Sequence, residues 1–131
     1  MTLRATIDRN RVLEAVQTAE RRTSAEIVVT IAPFFIGSVE RAAHRVFARL
    51  GVARTLRRSG VLVFVVPARN EVVVLCDEGA ERCVDCSVWH EVATQIAKAF
   101  SRGDGTIGLV DGVARLAHAL SGSFPYERAD L

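Results

Sequence analysis

Apolar residues follow two spacings along the chain, and these spacings predict four helices and three strands. Four segments repeat apolar residues every three or four positions, as a helix with one buried face does. These segments are 7–22, 39–50, 88–100 and 109–120. Three short runs rich in β-branched residues, 26–32, 61–66 and 72–76, favour strands. The predicted order of elements is αβαββαα.

The order of the elements also predicts how the strands pair. Residues 26–66 form a strand–helix–strand unit, whose two strands should be parallel with a right-handed crossover. The third strand follows a tight turn at Arg69-Asn70 and should run back antiparallel. The strand 61–66 is apolar at every position, as expected for a strand covered on both faces. We therefore predict the α/β class, with an α/β/α sandwich around a small mixed sheet.

Single residues are predicted to position the helices. Ser38 and Ser87 precede two of them and should act as caps, because a serine hydroxyl accepts from the free N–H groups of the first turn. Trp89 should anchor the third helix in the core, and a partner-binding patch is the alternative. The first helix should bury one apolar face. This face consists of Val12, Leu13, Val16 and Ala19.

Composition indicates one folded domain and argues against several classes of protein. The chain has 131 residues, 50% of them hydrophobic, and we assign residues 6–125 to one domain and 126–131 to a C-terminal tail. A formal charge of +2 disfavours a nucleic-acid binder, in which the basic excess is usually larger. The longest apolar run, 61–67, is too short to cross a membrane, and no signal peptide is visible. With three cysteines, an odd number, we expect a cytoplasmic protein.

Five segments in a fixed order, together with Trp89, carry a family resemblance. They are 20–29 (ERRTSAEIVV), 54–63 (RTLRRSGVLV), 74–79 (VLCDEG), 100–109 (FSRGDGTIGL) and 123–125 (SFP). The chain resembles the TPM domain family, named after a thylakoid lumen protein, a photosystem repair protein and a receptor modulator. It looks most similar to the short stand-alone bacterial members, and the resemblance covers residues 6–125.

The resemblance implies an α/β/α sandwich around a mixed sheet, in agreement with the spacing of apolar residues. It also implies a divalent-metal site in loops at one end of the sheet, and one plant member is described as an acid phosphatase. Many relatives carry a signal peptide and a membrane anchor, and this chain shows neither. Relatives usually have Asn-Gly before the second strand, whereas this chain has Ser59-Gly60.

Six acidic residues predict a cation site. They follow the third strand or flank the glycine-rich turn at 103–105, and the fold could bring the two groups together. Carboxylate oxygens are the ligands that Ca²⁺ and Mg²⁺ prefer, so either ion is the predicted cofactor. The alternative is a solvated acidic loop, with Asp104 acting as a helix cap. The six residues are Asp77, Glu78, Glu81, Asp85, Asp104 and Asp111.

The cysteines offer a second candidate site. Cys83 and Cys86 form a C-x-x-C pair, with His90 four residues further on and Cys76 upstream. Such a set could bind Zn²⁺ or act as a redox pair. Plain thiols are the alternative, because the spacing is not a standard zinc pattern and Cys76 should point into the core from its strand.

Three arginines before the second strand predict a binding site for a phosphate or an acidic partner. They are Arg54, Arg57 and Arg58, and a solvated loop, or a pair between Arg54 and Glu26, is the alternative. The second strand begins where its antiparallel neighbour ends. The basic loop and the acidic loop should therefore share one end of the sheet.

The motifs of several common enzyme classes are absent from the sequence. It lacks a G-x-S-x-G elbow, a P-loop, a G-x-G-x-x-G fingerprint and an H-E-x-x-H pair. We therefore expect a non-enzymatic interaction or assembly module that binds another protein, with a divalent ion shaping its loops. The alternative is a metal-dependent, phosphatase-like hydrolase that uses Asp77 and neighbouring carboxylates.

Overall fold

The computed structural model describes residues 7–32, 36–49 and 59–127, and its described part forms five α-helices and three strands. The helices are α1 Arg9–Glu20, α2 Val39–Arg49, α3 Glu78–Cys83, α4 Cys86–Ser101 and α5 Gly105–Ser121. The strands are β1 Ile27–Ile31, β2 Val61–Val66 and β3 Glu71–Cys76. A short 3-10 helix, Pro67–Arg69, joins β2 to β3, and Asn70 completes this turn at a φ of 53°.

The three strands form one mixed sheet in the order β1-β2-β3. β1 pairs with β2 in parallel, with Ile27 opposite Val61. β3 pairs with β2 antiparallel, with Cys76 opposite Val61. Both pairings confirm the prediction from the sequence. β1 and β3 are therefore the two edge strands.

The central strand explains why helices cover both faces of the sheet. All six side chains of β2 are buried, and successive side chains point to opposite faces. Val61, Val63 and Val65 pack into a core shared with α1, α4 and α5. The other three side chains pack under α2, and they are Leu62, Phe64 and Val66. The predicted α/β/α sandwich is confirmed.

The element order differs from the prediction by one short helix. The segment after β3 was expected to be a loop, and the structure has α3 there, giving αβαββααα. Asp77 begins α3, because its Oδ1 accepts a hydrogen bond of 2.8 Å from the backbone N–H of Glu78. Six residues with one buried side chain, Ala80, are too few to show a helical spacing in the sequence.

Two other predictions about helices are also corrected. Ser38 caps α2 as expected, but α4 is capped by Asp85 and not by Ser87. The carboxylate of Asp85 accepts from the N–H of Ser87 at 2.9 Å, since α4 already begins at Cys86. On α1, Leu13 is 54% exposed instead of buried. It lies one residue, or about 100°, around the helix from the buried Val12.

α4 and α5 form an antiparallel pair that closes one layer of the sandwich. Trp89 of α4 is buried in the core, as predicted. Gly108 and Gly112 of α5 face Ala99 and Ile96 of α4 so closely that added Cβ atoms would clash. This packing holds the later part of α4 close against α5.

Candidate functional site

Asp77 lies at the end of the sheet where β3 finishes and β2 begins. Its backbone N–H donates to the carbonyl oxygen of Gly60 at 2.9 Å, which ties the two strand ends together. The residue is only 9% exposed, and its Oδ1 is engaged in capping α3. The carboxylate of Asp77 therefore already has a structural role, as the cap of α3.

The neighbouring acidic residues lie on or beside α3 and face solvent. Glu78 lies 4.0 Å from Arg82, one helical turn further on, and Glu81 is exposed. Asp85 is exposed too, and the hydrogen bonds from Ser87 lower its pKa. The predicted acidic group after the third strand exists, but its members lie along α3 and at the starts of two helices, since Asp77 caps α3 and Asp85 caps α4.

Asp104 and Asp111 lie away from that group. Asp85 precedes the first residue of α4 and Asp104 follows its end, so about 24 Å of helix separates them. Asp104 and Asp111 instead line a groove of about 350 Å³ between α4 and α5, together with Lys98 and Arg102. The six predicted carboxylates do not fit a single divalent ion. Within the described ranges, the structure brings no three His, Cys, Asp or Glu side chains together to hold a metal.

Asp104 occupies the cap position of α5 through its backbone. Its carbonyl oxygen accepts a hydrogen bond of 2.9 Å from the N–H of Gly108. Its side chain makes no capping hydrogen bond. Asp104 is therefore the N-cap residue of α5, as the alternative prediction had it, but it caps through its backbone and not through its carboxylate.

The cysteines do not form a disulfide, and all three are free thiols. Cys76 is partly buried and packs against the core beneath α4, as predicted. Burial, and then the charges of Glu81 and Asp77, raise its pKa to about 11, so its thiol is protonated at neutral pH. Cys83, Cys86 and His90 are exposed.

The predicted basic site falls on residues that the structure does not describe. Arg54, Arg57 and Arg58 lie outside the described residues. The described chain resumes at Ser59 and Gly60, which are buried beside Asp77.

The outer edge of β1 is an open row of main-chain groups. The N–H of Ala32 donates to the carbonyl oxygen of Val65, and the carbonyl oxygen of Glu26 accepts from the N–H of Val61. The main-chain groups of the even-numbered residues along β1 therefore point toward β2. In a parallel pair, the N–H and C=O groups of the intervening residues point away from the partner strand. These residues are Ile27, Val29 and Ile31. Among the described residues, no hydrogen bond engages their edge-facing groups.

An apolar groove lies beside this edge, between β1 and α1. Its volume is about 280 Å³, and its α1 wall includes Val12, Leu13 and Val16. The exposed side chain of Leu13 forms part of the rim, and Arg9 supplies a charge in the lining. The edge and the groove together, hereafter the β1 site, combine free hydrogen-bonding groups with apolar surface.

Comparison with known proteins decides the family. A family model described as the TPM domain matches residues 3–119. The chain belongs to the TPM domain family. Among curated proteins, no match is found.

This TPM domain is similar to solved structures of bacterial proteins. The BA42 protein from the psychrophilic bacterium Bizionia argentinensis is 27% identical, with a TM-score of 0.84 over 99% of this chain and 92% of that one. The N-terminal domain of a P. gingivalis protein is 18% identical, with a TM-score of 0.76 over 97% and 83%. The N-terminal domain of the cg2496 protein from Corynebacterium glutamicum is 12% identical, with a TM-score of 0.62 over 93% and 74%. The last two likenesses show a shared fold alone.

Sequence reasoning missed the β1 site of the TPM domain, although one signal was available. The predicted topology already left the first strand at an edge of the sheet. Assigning Leu13 to the core removed the exposed apolar rim that would have drawn attention to this edge. In the described part of the TPM domain, none of the helices is long and apolar enough to cross a membrane.

Proposed function

We propose that this TPM domain is a non-enzymatic interaction module that binds an extended segment of another protein at the β1 site. The observation that carries the proposal is the open edge of β1, where Ile27, Val29 and Ile31 direct main-chain groups away from the sheet. A strand added at such an edge gains a ladder of main-chain hydrogen bonds. The TPM domain would thereby extend its sheet from three strands to four.

The chemistry of the edge suits strand addition. β1 has no charged residue and no proline within Ile27–Ile31, and its residues are all β-branched. Charges, prolines and bulges are the features by which proteins normally block an exposed edge. Their absence from this described strand favours a pairing role for the edge.

The groove indicates what kind of segment would bind. Side chains on one face of an added strand would lie against the wall that Val12, Leu13 and Val16 provide, so apolar residues are expected at alternate positions. A second copy of this chain fits less well. Ile27 and Val29 of its β1 already pack against the helical layer of that copy, so these side chains are not available to fill the groove.

The hydrolase alternative has less support from the geometry. Metal-assisted hydrolysis needs several carboxylates on one ion and an acid or base near the reacting group. The predicted carboxylates divide between the two ends of α4, and three of them already cap helices or pair on α3. The interaction module requires no such convergence.

Selection of random peptides displayed on phage, with the full chain as target, tests the proposal. We expect selected peptides to carry β-branched or leucine side chains at alternate positions. Adding one such peptide to labelled protein should shift the amide NMR signals of Ile27, Val29 and Ile31 most strongly. Two N-methylated versions of this peptide supply a matched pair, one methylated at the odd positions and one at the even positions. The version whose methyl groups face β1 should not bind, because its main-chain donors are blocked, and the other version should bind.

Two matched protein variants test the groove. Leu13→Asp places a charge on its rim and should weaken peptide binding about tenfold, since one apolar contact of roughly 1.5 kcal/mol is lost. Ile107→Asp, at a similarly exposed apolar position on α5, should bind as the unaltered protein does. Peptides that shift signals on α4 and α5 instead, or that tolerate Leu13→Asp, would refute the proposal. If the protein dimerises without peptide and Leu13→Asp abolishes the dimer, the β1 site binds a second copy of this chain instead.

A further inference from the structure

The outer side of α2 carries a stripe of arginines. Arg41, Arg45 and Arg49 recur every fourth residue, so they lie along one side of the helix. All three are exposed, whereas the opposite side of α2 is buried against β2 and β3. The buried residues are Val39, Ala42 and Ala43. We call the three arginines the α2 stripe.

The charge of the α2 stripe is not neutralised within the described chain. Arg69, Arg82 and Arg115 each form an ion pair with a carboxylate. Within the described residues, the three arginines of the α2 stripe form none. Glu40, the one acidic residue of α2, lies about 140° around the helix from Arg45. In the rest of the described chain, acidic side chains outnumber basic ones. Within the described ranges, the excess of positive charge is therefore confined to α2.

An exposed apolar side chain precedes α2 in the chain. Ile36 is 81% exposed and precedes the α2 cap Ser38 by two residues. The next residue, Gly37, is held by Arg69, whose guanidinium donates to the Gly37 carbonyl oxygen at 2.6 Å and pairs with Glu71 at 2.7 Å. The exposed isoleucine thus neighbours a residue that is tied to the turn between β2 and β3.

We infer that the α2 stripe and Ile36 bind the surface of an anionic lipid membrane, a role separate from the β1 site. Arginines near such a surface are attracted by its negative potential, and an apolar side chain gains by entering the boundary between headgroups and acyl chains. The stripe is a row of exposed charges along the outer side of a helix, an arrangement that suits a broad charged surface. Because the apolar face of α2 is already buried in the sandwich, the helix binds flat and only Ile36 inserts.

Co-sedimentation of the full chain with vesicles tests this inference. Vesicles of equal parts phosphatidylglycerol and phosphatidylcholine should bind the protein, vesicles of phosphatidylcholine alone should not, and high salt should release it. Each arginine near the surface contributes about fivefold in affinity. The triple variant Arg41→Gln, Arg45→Gln, Arg49→Gln should therefore bind about a hundredfold more weakly.

A matched triple variant distinguishes the effect of the α2 stripe from the effect of the net charge of the protein. Arg11→Gln, Arg22→Gln, Arg102→Gln removes the same charge from exposed positions elsewhere and should lower binding by no more than about threefold. Thermal unfolding followed by circular dichroism verifies that both variants fold. Equal losses in the two triple variants, or equal binding to both kinds of vesicle, would overturn the inference.

Ile36→Ser distinguishes a membrane from another acidic partner. The variant should bind anionic vesicles about fivefold more weakly, because the inserted side chain is lost, and should bind polyglutamate as the unaltered protein does. If Ile36→Ser leaves vesicle binding unchanged while polyglutamate competes fully, the partner is an acidic protein and the membrane inference is wrong. Tighter binding to duplex DNA than to the vesicles would overturn it as well.

Discussion

Replacing Gly108 by alanine should destabilise the protein, although alanine is the better residue for a helix. Alanine gains about 1 kcal/mol over glycine inside a helix. At this position, however, the new Cβ would lie 2.5 Å from the Cβ of Ala99 on α4. An ordinary carbon–carbon contact is about 3.5–4 Å. α4 and α5 would therefore have to separate by about 1 Å along their closest contact.

The magnitude follows from which atoms collide. Both Cβ atoms are attached directly to backbone, so no change of rotamer relieves the contact between Gly108→Ala and Ala99. Overpacking a core costs about 1–3 kcal/mol, and a rigid contact belongs at the upper end of this range. Subtracting the helix gain leaves a loss of about 2 kcal/mol, or about 8 °C in Tm for a chain of this length.

Urea unfolding followed by the fluorescence of the buried Trp89 measures this loss. Gly122→Ala is the matched control, since Gly122 has helical angles, φ −67° and ψ −42°, and nothing lies within 4 Å of the added Cβ. It should stabilise the protein by about 0.5–1 kcal/mol. If Gly108→Ala proves as stable as the unaltered protein, the close approach of α4 and α5 is not as described.

Three further predictions concern thiols, acid stability and cations. A thiol reagent at neutral pH should modify Cys83 and Cys86 before Cys76, whose raised pKa and burial keep it protonated, and mass spectrometry of timed samples would show the reverse order if this is wrong. Because folding lowers the pKa of Asp85, its capping contribution is present at neutral pH and is lost as the pH falls below about 4. The Asp85→Ala variant should accordingly have a lower Tm at pH 7 than the unaltered protein, and its Tm should fall less as the pH is lowered. If plots of Tm against pH run parallel for the two proteins, this prediction is wrong. In a Ca²⁺ titration, NMR shifts from one site should be confined to α3 or to the start of α5, and simultaneous shifts at both ends with a single affinity would refute the separation of the carboxylates.

Much of the fold could be predicted because β2 carries an unambiguous signal. Six consecutive apolar residues between a glycine and a proline, 61–66, require cover on both faces, and the flanking elements supply it. The pairing of β1 with β2 and of β2 with β3 follows from the lengths of the connections. α3 was missed because a six-residue helix held by the Asp77 cap leaves almost no periodic pattern.

The candidate site was less predictable, because it depends on distances that spacing does not contain. Asp85 and Asp104 were grouped as acidic residues near loops, yet the whole length of α4 lies between them. Leu13 follows the buried Val12 directly in the chain, and the two side chains point in different directions from α1. Only the rotation of α1 against its neighbours decides which of them is exposed. Local propensity predicts the elements, whereas tertiary packing decides which faces remain open.

The two proposed surfaces can be occupied at the same time, because they belong to different layers of one sandwich. The α2 stripe faces outward from the layer that covers Leu62, Phe64 and Val66. The β1 site lies at the sheet edge and opens toward α1, in the layer on the opposite face. A TPM domain resting with α2 on a membrane would hold the plane of its sheet roughly parallel to that membrane, on the far side of α2. An added strand would then extend the sheet sideways and would need to displace neither lipid nor helix, so neither binding event is expected to oppose the other.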